Sequence, residues 1–193
     1  MSASDRELIE ACREGRDAPF EELVDRYKMK AYSLAYFLVG NAADALDISQ
    51  EAFIKIYRNL HRFRGKSGFG TWLHRITYNL CMDFLRLRKR RASLSYRDEI
   101  GKPGEEPAIE SSGKSNPLKG LVKKETREMV RGAIDRLPAK LKSVLVLREI
   151  EDLSYGEIAG IVGCSTGTVM SRLHHARKRL GKILKTVVKG QHL

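Results

Sequence analysis

The side chains best placed for chemistry in this chain suit binding rather than bond-making. After Gly163, the residues Val169, Leu173, Ala176 and Leu180 recur at helical spacing. At about 100° per residue they share one stripe, which has to be buried. The opposite stripe carries Gly167, Ser171, His174 and Lys178, with Met170 and His175 beside it. Hydroxyl, imidazole, ammonium and thioether groups in that register suit the edges of nucleic-acid bases. Arg172, Arg177 and Arg179 flank the stripe, where a guanidinium suits phosphate. An amphipathic bundle helix with a solvated basic face is the alternative.

A second constellation lies near residue 75. Trp72, Arg75, Asn79 and Arg86 share a face away from the apolar series Phe69, Leu73, Ile76, Leu80, Phe84 and Leu87. An exposed tryptophan beside arginines can stack on unpaired bases. Asparagine offers a base edge both a donor and an acceptor. The run Arg86, Arg88, Lys89, Arg90, Arg91 extends this basic surface. Just before it, Phe63 sits in a glycine-rich loop suited to wrapping a flipped base. The alternative for Trp72 is a core position at a domain edge.

A third set has the opposite sign. Ala45, Ile48, Ala52, Phe53, Ile56 and Leu60 make a broad apolar side, and Asp47, Gln50, Glu51, Ile54 and Arg58 lie on the other. An acidic stripe with an exposed isoleucine suits docking to protein and is poor for DNA. An ordinary solvated face is the alternative.

Catalytic and metal chemistry have no such support. No Ser-His-Asp or paired-carboxylate constellation stands out, and no phosphate-cradling loop is present. The expectation is a non-enzyme without a cofactor, a metal ion or a small-molecule substrate. Cys12, Cys81 and Cys164 are far apart, which argues for reduced thiols rather than a zinc site or disulfide framework. His174 and His175 point about 100° apart and make poor co-ligands.

These groups need helices to position them. Ser4 with Glu7 makes a capping box, and so does Ser154 with Glu157. Helical periodicity runs over about 17–39, stops at Gly40-Asn41, resumes over about 42–60, and resumes again over about 69–89. Residues 92–116 hold Pro103, Pro107 and many small polar residues and read as an irregular linker. Beyond it, helices are predicted over 118–136, from Pro138 to Glu151, from Tyr155 to Val162, and from about Ser165 to Lys189. The last two, with a turn at Gly163-Cys164, form a helix-turn-helix. The expected fold is all-α: two helical domains, 1–92 and 117–193, joined by a flexible linker, 93–116.

Charge agrees with these grips. Lys and Arg total 36 against 24 acidic residues, a formal net charge of +12, which favours a polyanionic partner. No apolar run is long enough to span a bilayer, and the polar start Ser4-Asp5-Arg6-Glu7 lacks a signal-peptide core. A cytoplasmic protein is expected. A helix-turn-helix regulator working alone would leave the Asp47 stripe and Trp72-Asn79 unexplained. A charge-driven adaptor for RNA or an anionic membrane would bind without regard to sequence.

Two motif sets then carry a family resemblance. Asp44-Ala45-Leu46-Asp47-Ile48-Ser49-Gln50-Glu51-Ala52-Phe53, Phe63-Arg64-Gly65 and Thr71-Trp72-Leu73-His74-Arg75-Ile76 resemble region 2 of sigma factors. Leu153-Ser154-Tyr155-Gly156-Glu157-Ile158-Ala159 and Gly167-Thr168-Val169-Met170-Ser171-Arg172-Leu173 resemble region 4. Together they are similar to the extracytoplasmic-function branch of the sigma-70 family. The resemblance implies a promoter-specificity subunit of RNA polymerase. It implies that Asp47, Gln50 and Glu51 dock on the β′ clamp helices, and Ile54 on the same face is expected to join them. It further implies that the loop at Phe63 and the position of Asn79 engage the melted −10 element, where Arg64, Trp72, Arg75 and Arg86 are expected to act with them. The −35 duplex would meet Thr168, Met170, Ser171, Arg172, His174, His175, Arg177 and Lys178, with the same domain packed on the β flap. An anti-sigma partner, holding the chain inactive at the inner membrane face, is a further implication. The short linker fits a branch without a middle domain.

Overall fold

The computed structural model describes residues 3–98 and 128–190, and all regular structure among them is helical. Of the expected linker, 93–116, residues 93–98 instead continue the helix before it; the rest of that linker, and residues 118–127 of the next predicted helix, lie outside the described residues.

The first half is a three-helix bundle with a short helix laid across it. α1 (Asp5–Arg13) starts at the Ser4–Glu7 capping box and buries Leu8 and Ile9. α2 (Ala18–Val39) carries Pro19 in its first turn, where the missing amide proton is not needed. It ends at Gly40, whose φ of 80° is a left-handed value that a side chain would strain. α3 (Ala42–Asn59) begins on Asn41, whose side chain accepts from the amides of Ala43 and Asp44. A 3₁₀ turn, Leu60–Arg62, leads to the loop before α4 (Phe69–Asp98). α4 outruns its predicted end at Lys89, because residues 89–98 contain no proline or glycine to stop it. The core is Leu23, Leu34, Leu38, Ala45, Ala52, Ile56, Leu73 and Cys81, with the apolar side of α3 buried as its spacing predicts. Leu87 departs from expectation: it is exposed, since the bundle no longer covers that turn of α4.

The second half contains α5, helical over residues 128–135, then α6 (Ala139–Glu149), α7 (Tyr155–Val162) and α8 (Thr166–Gly190). Pro138 stands at the N-cap of α6 rather than inside it. α7 opens on the Ser154–Glu157 capping box and ends at Gly163, whose φ of 69° lets the chain turn sharply into α8. Val169, Leu173 and Ala176 are buried and Leu180 partly so, as the stripe requires.

α6 explains how the halves meet. Six consecutive residues, Lys142 through Leu147, are buried. A helix buried on every side needs cover all round. α7 and α8 cover one side, and α2 packs against another. α4 also packs on α7. The two apolar cores are thereby continuous. The run Val144-Leu145-Val146-Leu147 was the local sign that α6 needed more cover than its own half supplies.

Candidate nucleic-acid and protein interfaces

On α3, Asp47, Gln50, Glu51 and Ile54 occupy successive turns of one exposed face. Leu46, 50 % exposed, joins Ile54, 49 % exposed, so two apolar side chains frame the acidic stripe. Leu46 was missed because it sits one position off the periodic stripe. Glu51 meets Lys55 at 3.0 Å, a solvent-exposed pair of little strength.

The loop and α4 bring a second group together. Phe63 and Trp72 lie with ring centroids 4.9 Å apart, and Phe69 stands edge-on to both. Both alternatives for Trp72 therefore hold in part: the ring is half-buried against the bundle and half-open. Arg75 and Asn79 are exposed beside it. Arg86 is exposed, with Asp83 at 3.1 Å. Arg64 projects from the loop, and a cleft of about 510 Å³ separates that loop from α1. Farther along, Arg88 donates to the Val39 carbonyl, tying the basic run to the end of α2.

On α8, Met170, Ser171, His174, His175 and Lys178 are exposed opposite the buried stripe. The His174 and His175 rings stand 5.6 Å apart at a steep angle. Other candidates on this helix are already engaged. The Thr168 amide donates to the Ser165 hydroxyl, and the two hydroxyls lie 2.9 Å apart, so this pair caps α8. Arg172 is half-buried, donating to Cys164 Sγ at 3.7 Å. Arg177 forks onto one oxygen of Glu149 at 2.7 and 3.1 Å.

Sequence reasoning missed a polar seam between the halves. His74 Nε2 lies 3.0 Å from Glu151 Oε2, with the two side chains only 3 % and 5 % exposed. The Thr71 hydroxyl donates to Glu157 Oε1 at 2.8 Å. Tyr78 meets the Ser143 hydroxyl beside Arg172, and burial pushes its phenol up. Arg131 lies over the Tyr36 ring at 4.9 Å. Glu157 is held below the ordinary carboxylate range, first by the Ser154 side chain, then by the Ser154 amide and Thr71. Two side-chain atoms of α4, His74 Nδ1 in the seam and Thr77 Oγ1, are buried without a hydrogen-bond partner among the described residues. Such atoms carry a desolvation cost.

Residues 23–91 match the family described as Sigma-70 region 2, and residues 127–180 match Sigma-70, region 4. The chain is 38% identical over 190 residues to the ECF RNA polymerase sigma-E factor of Escherichia coli (strain K12), covering 96% of this chain and 97% of that one. It is 37% identical to the RNA polymerase sigma-H factor of Pseudomonas aeruginosa, covering 96% of each. Among solved structures, it resembles the sigma factor RpoE in complex with the anti-sigma factor NepR from Bartonella quintana. That match has a TM-score of 0.67 and 25% identity, and covers 86% of this chain and 96% of that one. CnrH in complex with the cytosolic domain of CnrY matches in fold, with a TM-score of 0.68, 22% identity and coverage of 94% and 97%. The chain belongs to the sigma-70 family, in its extracytoplasmic-function branch.

Proposed function

We propose that this chain is an alternative sigma factor that binds the RNA polymerase core and directs promoter-specific initiation without catalysing a reaction itself. One observation carries the reading. A single chain presents two chemically distinct surfaces suited to nucleic acid, half-open Trp72 with exposed Arg75 and Asn79 on α4 and exposed Met170, Ser171, His174 and Lys178 on α8, with an acidic, apolar-framed stripe on α3.

Asp47, Gln50, Glu51 and Ile54 dock on the β′ clamp helices, with Leu46 enlarging the contact. Phe63, Arg64, Trp72, Arg75, Asn79 and Arg86 hold the unpaired strand of the −10 element. Met170, Ser171, His174, His175 and Lys178 read the −35 duplex, and the α5–α8 half rests on the β flap. Thr168 supports this face as a cap, while Arg172 and Arg177 reach phosphate only after leaving Cys164 and Glu149. Binding of unpaired bases in preference to paired ones shifts the promoter towards its melted state. The core holds both halves at a fixed separation, so the second DNA contact becomes effectively intramolecular.

The closed arrangement cannot do this. The −35 and −10 elements are some 25 positions apart, roughly 85 Å of duplex at about 3.4 Å per step. With α4 packed on α7, the halves have to part before both elements can be held. An anti-sigma partner that binds the closed form would keep the chain from polymerase. The site of action is the cytoplasm, with retention at the inner membrane face when the partner is membrane-bound.

Asn79 supplies the sharpest test of the −10 assignment. Asn79→Ala is expected to lower discrimination among −10 sequences about 10-fold or more, the loss of a good base contact. Core affinity should be unchanged. Filter binding of holoenzyme to −10 variants measures the first, and core titration the second. Equal loss of core binding would contradict the role.

A further inference from the structure

α1 does more than cover the bundle. We propose that it is a brace pinning both ends of the Phe63–Gly68 loop for base capture, with Arg13 and the Asp5–Tyr27 pair as positioning residues. The inference rests on the −10 reading of that loop given above.

At the loop's entrance, the Arg13 guanidinium donates to the Phe63 carbonyl. The ring of Phe63 packs at a tilt against Trp72, 4.9 Å between centroids, so Phe63 is held from both sides. At the exit, the Tyr27 ring packs edge-on against Phe69 at 5.1 Å. Gly70 permits that approach, because a Cβ there would stand 3.1 Å from the Tyr27 ring. Tyr27 is held in turn by its hydroxyl, which donates to Asp5 at the start of α1. Burial, then the Asp5 contact, push this phenol up to about 12. Arg26 also binds Asp5, at 2.5 Å.

The two attachments sit at opposite ends of one rigid rod. Asp5 and Arg13 are the first and last residues of α1, roughly 12 Å apart along a helix axis at 1.5 Å per residue. Leu8 and Ile9 fix the rod to the bundle between them. Arg6, Ile9, Glu10 and Arg13 form one wall of the 510 Å³ cleft, and the loop forms the other. Residues 64–68 between the pinned ends are all exposed. The loop's ends are thus set in place while its middle stays free to close on a base. Ordering the ends in advance reduces the entropy lost on binding. The match to region 2 begins at residue 23, so α1 lies outside it.

The test uses holoenzyme assembled from the full chain and core. The probes are single-stranded oligonucleotides from the −10 segment that the wild-type holoenzyme selects, varied one base at a time. Arg13→Ala and Tyr27→Phe are each expected to cut base discrimination at one position by about 3- to 10-fold. Core affinity and the dependence of binding on salt should not change. Tyr27→Phe alters no charge and keeps the ring, so a phosphate-contact role for α1 predicts no effect from it. The proposal is overturned if Arg13→Ala weakens all oligonucleotides equally and lowers the salt slope by about one, the signature of a lost phosphate contact. It is also overturned if both variants keep wild-type discrimination while Phe63→Ala loses it. Should Phe63→Ala also leave discrimination intact, the −10 reading of the loop fails, and the brace fails with it.

Discussion

Reversing charge at two positions, Asp47→Lys with Glu51→Lys, is expected to lower affinity for the polymerase core by about 100-fold or more. Both side chains are exposed on α3, one helical turn apart, so they present a single negative stripe. Like-charge juxtaposition at an interface costs several kcal/mol, and each 1.4 kcal/mol is about tenfold in affinity. The fold should tolerate the change. The pair lost within the chain, Glu51 with Lys55, is surface-exposed and contributes only about 0.3–0.5 kcal/mol. Core titration by fluorescence anisotropy, beside thermal denaturation of the free chain, measures the two effects separately. Ile54→Ala should weaken core binding less, since it removes contact area without introducing repulsion. Unchanged core affinity in the double variant would remove the docking assignment.

The second large effect concerns the seam. Glu151→Ala is expected to shift the closed–open equilibrium towards the open form by about 10- to 100-fold. Removing one partner of a buried hydrogen bond typically costs 1–3 kcal/mol, roughly that range. Here it leaves both nitrogens of His74 without a protein partner while closed, because Nδ1 already lacks one. Opening hydrates them. Thr71→Ala should act in the same direction but more weakly, because it removes one hydroxyl contact from a carboxylate that Ser154 still holds. Small-angle X-ray scattering should show a larger radius of gyration for Glu151→Ala, with helical content by circular dichroism unchanged. If only the open form binds core, apparent core affinity rises by at most the gain in open population. An unaltered radius of gyration together with unaltered core affinity would show that His74–Glu151 does not hold the halves together.

The seam also marks the limit of what the sequence disclosed. Local signals sufficed for most elements. Ser4 with Glu7 and Ser154 with Glu157 placed two helix starts, Gly40 and Gly163 placed two ends, and the three- and four-residue spacings gave the buried sides of α3 and α8. Those signals act within one or two turns of chain. His74 and Glu151 are 77 positions apart, and each reads locally as an ordinary polar residue on a helix or at its end. Only the packing of α4 on α7 removes them from water. Glu157 shows the same limit: its capping role was legible, but its bond to Thr71 was not.

The candidate sites divide similarly. The exposure of Asp47, Asn79, Met170 and His174 follows from helical geometry and the known apolar stripe. The engagement of Arg172 by Cys164, and of Arg177 by Glu149, depends on neighbours that periodicity does not specify. Trp72 could be placed only between two alternatives, because its surroundings include Phe63, which reaches it from the loop rather than from the helix. The helix at α1 was visible through its capping box. Its contacts to Phe63, and through Tyr27 to Phe69, required three separate segments to be brought together.

Reconstituted transcription bears most directly on the whole account. The purified chain, freed of any inhibitor, is mixed with sigma-free core polymerase and a promoter library, and transcript starts are mapped. Discrete starts preceded by a shared pair of elements, absent with core alone, are the expected result. A library transcribed no differently with and without the chain, under conditions where another sigma factor works, would contradict it.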